Sequence, residues 1–160
     1  MNLREIARSP KTVTDYGSWK AGPIPQVAFR LSRAARRSYC LGPKYQWRLV
    51  QFEALGRTFR VLIAYRLDIE SYRAWLALEE GNDLKVLARY EFHGTHPGWH
   101  CHAQCDDVEQ VSAGTVKHLG ERRLPPPRDC RRTKFGVTDQ KALTIACEFF
   151  GLTVTGDLGL

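Results

Sequence analysis

The chain has 160 residues, 43% of them hydrophobic, with 24 Lys or Arg against 17 Asp or Glu and a formal net charge of +7. This length predicts one soluble domain with a sizeable core. It contains no run of 18 apolar residues and no apolar signal-peptide core at the N-terminus, so neither a membrane span nor secretion is expected and a cytoplasmic location is the default. The five cysteines are odd in number and scattered, which argues against a secreted disulfide framework.

Positive charge is concentrated in two blocks. Residues 1–50 hold ten Lys or Arg against two acids, and residues 117–134 hold seven against two, whereas residues 51–116 hold six against ten. A basic balance of this kind favours an anionic partner, of which nucleic acid is the commonest. The alternative is a protein with basic surfaces and no nucleic-acid contact.

The N-terminal third predicts a helix preceded by irregular chain. Residues 11–25 are expected to form a loop because glycine and proline interrupt them, and residues 26–39 have the modest apolar stripe of a helix. Arg30, Arg33 and Arg37 share one face of that helix. They form either a solvated face or a ridge that contacts phosphates, since the guanidinium fork matches phosphate geometry.

Residues 45–105 predict an antiparallel β-meander. Four runs rich in aromatic and β-branched residues, at 45–53, 57–66, 72–79 and 84–92, are joined by short turns, and a fifth strand is expected at 98–105. In the fourth run, apolar and polar residues alternate. The predicted core side is Leu84, Val86, Ala88, Tyr90 and Phe92, and the opposite side is Lys85, Arg89 and Glu91.

The C-terminal part predicts a basic Pro-rich loop over 112–134 and a helix over 138–150. Three consecutive prolines, 125–127, make the loop rigid and extended, and its basic residues include Arg122, Arg123, Arg131 and Arg132. Thr138 is the expected N-cap of the helix and Gly151 its C-terminal cap. The predicted fold is therefore a single α+β domain over 1–160. It has an antiparallel sheet of about five strands, packed by the Arg-rich helix and the apolar C-terminal helix.

Histidines are concentrated in one stretch, residues 93–105, which holds four of the five in the chain. As a strand, residues 99–105 place Trp99, Cys101 and Ala103 on one side and His100 and His102 on the other. The first set fits a core. The second is a row of titratable groups, which fits a site on the sheet surface.

The leading hypothesis for this row is cleavage of RNA without a metal or other cofactor. Two histidines act as general base and acid in transesterification at a 2′-hydroxyl, here His100 and His102 with His96 in support. The arginines that would hold phosphates are Arg30, Arg33, Arg37, Arg122, Arg123, Arg131 and Arg132. By analogy of size and composition, the protein resembles bacterial ribonuclease toxins. RNA is favoured over DNA as partner, a neutralising partner protein is a further expectation, and no membrane is involved.

Two other chemistries stay open at this point. His100 and His102 with Asp106 would bind zinc or another divalent metal and form a hydrolytic site. His100-Cys101-His102-Ala103-Gln104 resembles the active-site run of the uridylyltransferase branch of the histidine-triad superfamily, which implies nucleotidyl transfer with His102 as nucleophile. The remaining alternative is a basic binding module without catalysis, whose histidines are satisfied polar groups.

Overall fold

The computed structural model describes residues 3–25, 27–30, 41–94, 98–104, 121–124 and 134–153. Within them lie two α-helices, one short 3-10 helix (Leu67–Ile69) and eight strands. The α-helices are α1 (Leu3–Arg8) and α2 (Ala142–Phe150), and the strands are β1 (Thr12–Asp15), β2 (Lys20–Ala21), β3 (Gln46–Ala54), β4 (Arg57–Arg66), β5 (Ser71–Glu80), β6 (Asp83–Phe92), β7 (His100–Gln104) and β8 (Glu121–Leu124). Neither helix is both long and apolar enough to cross a bilayer.

The strands form one antiparallel sheet. Seven of them follow in the order β1-β3-β4-β5-β6-β7-β8, and the short β2 also pairs with β3. The predicted antiparallel meander within an α+β domain is confirmed, and its four long strands agree with the predicted ones to within one residue at each end. The β3–β4 connection is a two-residue turn in which Leu55 and Gly56 both adopt positive φ, the geometry that matches the twist of the flanking strands.

Three strands lie where loops were predicted. β1 and β2 form within the expected loop 11–25, and β8 forms within the expected basic loop 112–134. Each is at most four residues long, and glycine, proline or arginine surrounds or fills it. The local strand signal is therefore weak, even though β1 has three β-branched residues, Thr12 to Thr14. Their backbones are ordered by pairing with a longer neighbour, β3 for the first two and β7 for the third.

The predicted helices are only partly described. The expected helix 26–39 lies largely outside the described residues, and residues 27–30 form turns rather than helix. The C-terminal helix begins at Ala142 instead of residue 138, since Thr138 starts a turn in which its carbonyl accepts the N–H groups of Lys141 and Ala142 at 3.0 and 2.9 Å. Gly151 ends the helix in the left-handed conformation, as predicted.

A β-bulge in β6 corrects the predicted alternation of that strand. Leu76 of β5 pairs with Ala88, and the next residue, Ala77, pairs with Val86, so Leu87 is an extra residue without a partner. Val86 therefore lies on the face opposite Ala88, although a strict period of two predicted the same face for both. The bulge leaves Arg89 and Glu91 on the same face as Val86.

The sheet has two covered faces. One packs against α2, where the ring of Phe149 stacks on Tyr90 with centroids 3.8 Å apart, and the Tyr72 hydroxyl donates to the Ala142 carbonyl at 2.8 Å. The second face carries Trp47 and Trp75, with Phe29 from the chain before β3 packed against them. The polar part of this second face, toward the end of β6, is where the candidate site lies.

Candidate functional site

Strand pairing brings the site together. In the antiparallel register, Glu91 of β6 faces His100 of β7, and Arg89 faces His102. On the other side of β6, Arg73 of β5 faces Glu91. Directly paired residues share a face and have Cβ atoms about 5 Å apart, so pairing alone makes these side chains neighbours. His93 follows the last residue of β6. These six residues (Arg73, Arg89, Glu91, His93, His100 and His102) are called the Glu91 cluster below.

The Glu91 carboxylate is the centre of the cluster. The Nε2 atoms of His100, His102 and His93 lie 3.1, 3.2 and 3.5 Å from Oε1. The other oxygen, Oε2, lies 3.0 Å from Nε of Arg89 and 4.0 Å from Nε of Arg73. One carboxylate oxygen thus faces three imidazoles and the other faces two guanidinium groups.

The cluster has a buried floor, Glu91 and His100, and a partly exposed rim, which consists of the other four residues. The exposed fraction of the side chain is 0% for His100 and 5% for Glu91, whereas it is 17% for His102, 21% for His93, 22% for Arg89 and 33% for Arg73. A molecule arriving from solvent therefore meets the rim groups and reaches Glu91 and His100 only through them.

Glu91 is held in its ionised form. Burial by itself raises the pKa of the carboxyl, but the hydrogen bond from His100 and the positive charges of Arg89 and His93 outweigh it and lower the pKa to about 2. The cluster therefore keeps a buried negative charge at neutral pH, and several cationic or polar donors surround it.

Both ring nitrogens of His100 face oxygen atoms that only accept. Nδ1 donates to the Gly98 carbonyl at 3.1 Å, and Nε2 lies 3.1 Å from the Glu91 carboxylate. A neutral imidazole has a single N–H and can satisfy only one of these oxygens.

The cysteine of the histidine stretch belongs to the other side of the sheet. Cys101 and Ala103 are 4% and 0% exposed and lie in the core beneath α2, together with Trp99. The prediction that Cys101 and His102 point to opposite faces agrees with this arrangement, and Cys101 takes no part in the Glu91 cluster.

The structure describes only some of the other predicted site residues. His96, Arg33, Arg37, Arg131, Arg132 and the alternative metal ligand Asp106 lie outside the described residues. Arg122 and Arg123 are in β8, where Arg123 is the register partner of His102. The carbonyl of Arg30 accepts the N–H of Leu84, at the start of β6, about 23 Å along the strand from Glu91 at 3.3 Å per residue.

Sequence reasoning missed Glu91, Arg73 and Arg89 as site residues. They belong to strands that read as core elements, and charged residues in such strands are usually solvent-facing. The sequence did contain a signal for Glu91. If residues 93–98 form a turn between two antiparallel strands, residue 91 lies opposite residue 100. This register would have put a carboxylate beside the histidine row.

The arrangement combines anion-binding, proton-transferring and cation-binding groups in one place. Comparison with protein-family models, with curated proteins and with solved structures finds no match to this chain. The function is therefore argued from the chemistry of the cluster itself.

Proposed function

We propose that the protein cleaves phosphodiester bonds in nucleic acid, RNA in preference to DNA, and that the Glu91 cluster is its active site. The observation that carries this proposal is the rim of the cluster, where two guanidinium groups and two imidazoles are partly open to solvent around one ionised carboxylate. The net positive charge of the chain supports an anionic substrate.

Arg73 and Arg89 are suited to hold a phosphate. Each lies beside the Glu91 carboxylate, and its side chain is partly exposed, 33% for Arg73 and 22% for Arg89. Phosphate oxygens are the acceptors that a guanidinium fork fits best. As phosphorus becomes five-coordinate, the same groups would stabilise the negative charge that develops on its oxygens.

His93 and His102 are the imidazoles that a substrate can reach. In cleavage without a metal, one of them takes the proton from the 2′-hydroxyl as the 2′-oxygen attacks phosphorus. The bond from phosphorus to the 5′-oxygen breaks, and the second imidazole gives a proton to that leaving oxygen. His100 lies beneath them and acts as a positioning residue by fixing Glu91.

The test is a cleavage assay on a labelled RNA oligonucleotide, with a DNA oligonucleotide of the same sequence beside it. Loss of an acid–base group typically slows a reaction by about 100-fold or more, so His93→Ala and His102→Ala should each cleave RNA more slowly by that factor. Arg89→Met should also cleave more slowly, because a phosphate-binding group is lost. Arg57→Met is the control, because Arg57 is 43% exposed and pairs with Glu80 at the other end of the sheet. A folded His93→Ala/His102→Ala double variant with full activity would remove the assignment.

A basic binding module is the second candidate, and the direction of all three imidazoles at Glu91 favours it, since groups that stabilise a buried carboxylate need no catalytic role. In that case, the imidazoles only hold β6 and β7 together. RNA binding would then be tight and strongly weakened by salt, would survive both histidine substitutions, and would occur without cleavage.

A further inference from the structure

We propose that Glu91, His100 and His102 bind a divalent transition-metal ion, with zinc the first candidate, through Oε1 of the carboxylate and Nε2 of each imidazole. The three ligand atoms lie within 4.8 Å of one another. This site rests on the contacts of three side chains and does not depend on the proposed cleavage of RNA. An occupied site would use His102 as a ligand and so exclude it from the metal-free acid–base pair.

The spacing of the ligand atoms suits one ion. Two ligand atoms bonded to the same ion at about 2.0–2.2 Å, with tetrahedral or octahedral angles between them, are roughly 2.9–3.5 Å apart. The two distances from Oε1 to Nε2, 3.1 Å for His100 and 3.2 Å for His102, fall in this range.

The outer contacts already hold the ligands in a binding orientation. Metal-bound histidine usually donates its other ring N–H to a carbonyl or carboxylate, and His100 does so through Nδ1 to Gly98. Arg89 occupies Oε2 of Glu91, which leaves Oε1 directed at the imidazoles.

The site is partly exposed to solvent at one edge, at His102. His100 and Glu91 are closed off from solvent, but His102 is 17% exposed. Three protein ligands with one open position are characteristic of catalytic rather than structural zinc sites. All three come from the paired strands β6 and β7, which hold them more rigidly than loops would.

The surrounding charges predict an anion as a further ligand. The site has one carboxylate, whereas Arg73 and Arg89 are both beside it. A divalent ion would make the local charge strongly positive, so hydroxide or a phosphate oxygen is needed at the open position. The ion would then act as a Lewis acid on that phosphate, and His93, outside the ligand set, would be left for proton transfer.

The ligand set differs from the one expected from the sequence. The carboxylate is Glu91, supplied by the neighbouring strand, rather than Asp106, which lies outside the described residues. Two imidazoles and one carboxylate suit zinc and other first-row divalent ions, whereas thiolate is absent because Cys101 is in the core on the other face.

The test is metal binding by the full chain. The protein is stripped with a chelator and titrated with Co²⁺, whose visible absorption reports coordination, and Zn²⁺ is then added as a competitor. One ion per chain is expected. Glu91→Gln and His102→Ala should weaken binding about 100-fold or more, since even the loss of an outer contact costs 10- to 100-fold. Glu79→Gln is the matched control, because Glu79 also pairs with an arginine, Arg60, but lies at the opposite end of β5 from Arg73.

Folding of each variant is checked by circular dichroism, and the metal content of the purified wild-type chain, measured by mass spectrometry, gives a result that needs no variant. Absence of a Co²⁺ spectrum in the wild type would overturn the site, as would equal affinity of folded Glu91→Gln and Glu79→Gln. A bound ion with no cleavage of RNA would support the site and remove the proposed function. The opposite result is a protein that binds no Co²⁺ and cleaves RNA at the same rate with and without a chelator. It would support the proposed function and overturn the metal site.

Discussion

Nε2 of His100 lies 3.1 Å from Oε1 of Glu91, although the two residues are nine positions apart and belong to different strands. Both are almost fully buried, and the pairing of β6 with β7 makes them direct neighbours. A buried ionised carboxylate is costly unless it is paired and hydrogen-bonded. The two arginines and three histidines around Glu91 meet that condition, so the stability of this part of the sheet and its chemistry depend on the same contacts.

Replacement of Glu91 by alanine should be strongly destabilising. The substitution leaves two guanidinium groups and a buried imidazole without their counter-charge, and such a broken buried pair costs about 3–5 kcal/mol. Glu79→Ala removes a carboxylate from the more exposed Arg60–Glu79 pair and should cost about 1 kcal/mol or less. Urea unfolding with a chelator present measures both. Equal unfolding free energies for the two variants would show that the Glu91 contacts contribute little to stability.

Gly17 should tolerate alanine much less than Gly81 does. Both glycines have positive φ, +59° and +56°, which costs an L-residue about 1–2 kcal/mol. A Cβ at Gly17 would in addition overlap the Leu49 carbonyl, whereas a Cβ at Gly81 would meet no described atom within 4 Å. Gly17→Ala should therefore lower the free energy of unfolding by at least 2 kcal/mol more than Gly81→Ala does. Similar midpoints for the two variants in urea would contradict the close approach of residue 17 to β3.

Cys147 should be unreactive in the folded protein. Burial raises the pKa of its thiol to about 11, and the nearby Arg48 only partly offsets that effect. At pH 8, roughly one thiol in a thousand is then in the reactive thiolate form, and reactivity should increase only as the pH approaches 11. Alkylation with iodoacetamide, followed by peptide mass spectrometry, should leave Cys147 unlabelled at pH 8 and label it in urea. Rapid labelling at pH 8 without denaturant would contradict the packing of α2 on the sheet.

The long strands could be predicted from the sequence because their signal is local. Alternation of apolar and polar residues with short turns identified β3 to β6, and β7 was expected within 98–105. The short strands β1, β2 and β8 could not be predicted in this way, since they are ordered by a neighbour rather than by their own residues. The bulge at Leu87 could not be predicted for a related reason. One extra residue exchanges the two faces on which the following side chains lie, but a short window of sequence does not show where that residue is inserted.

The histidines of the candidate site could be predicted from the sequence, but the carboxylate could not. Histidine spacing alone placed His100 and His102 on one side of a strand, away from Cys101. Glu91, however, reads as an ordinary polar position until the pairing of β6 with β7 is known. Its role depends on a contact between strands, and a pattern within one strand carries no information about that contact.

The measurement that tests the central claim most directly is the rate at which the wild type, Glu91→Gln and Glu79→Gln cleave an RNA oligonucleotide. Glutamine keeps the size of Glu91 but removes the charge that holds the three imidazoles and two guanidinium groups together. If the Glu91 cluster is the active site, the wild type cleaves RNA, Glu91→Gln is slower by about 100-fold or more, and Glu79→Gln stays within about twofold of the wild type. A wild-type chain that leaves RNA intact, or a folded Glu91→Gln variant that cleaves at the wild-type rate, would contradict the account.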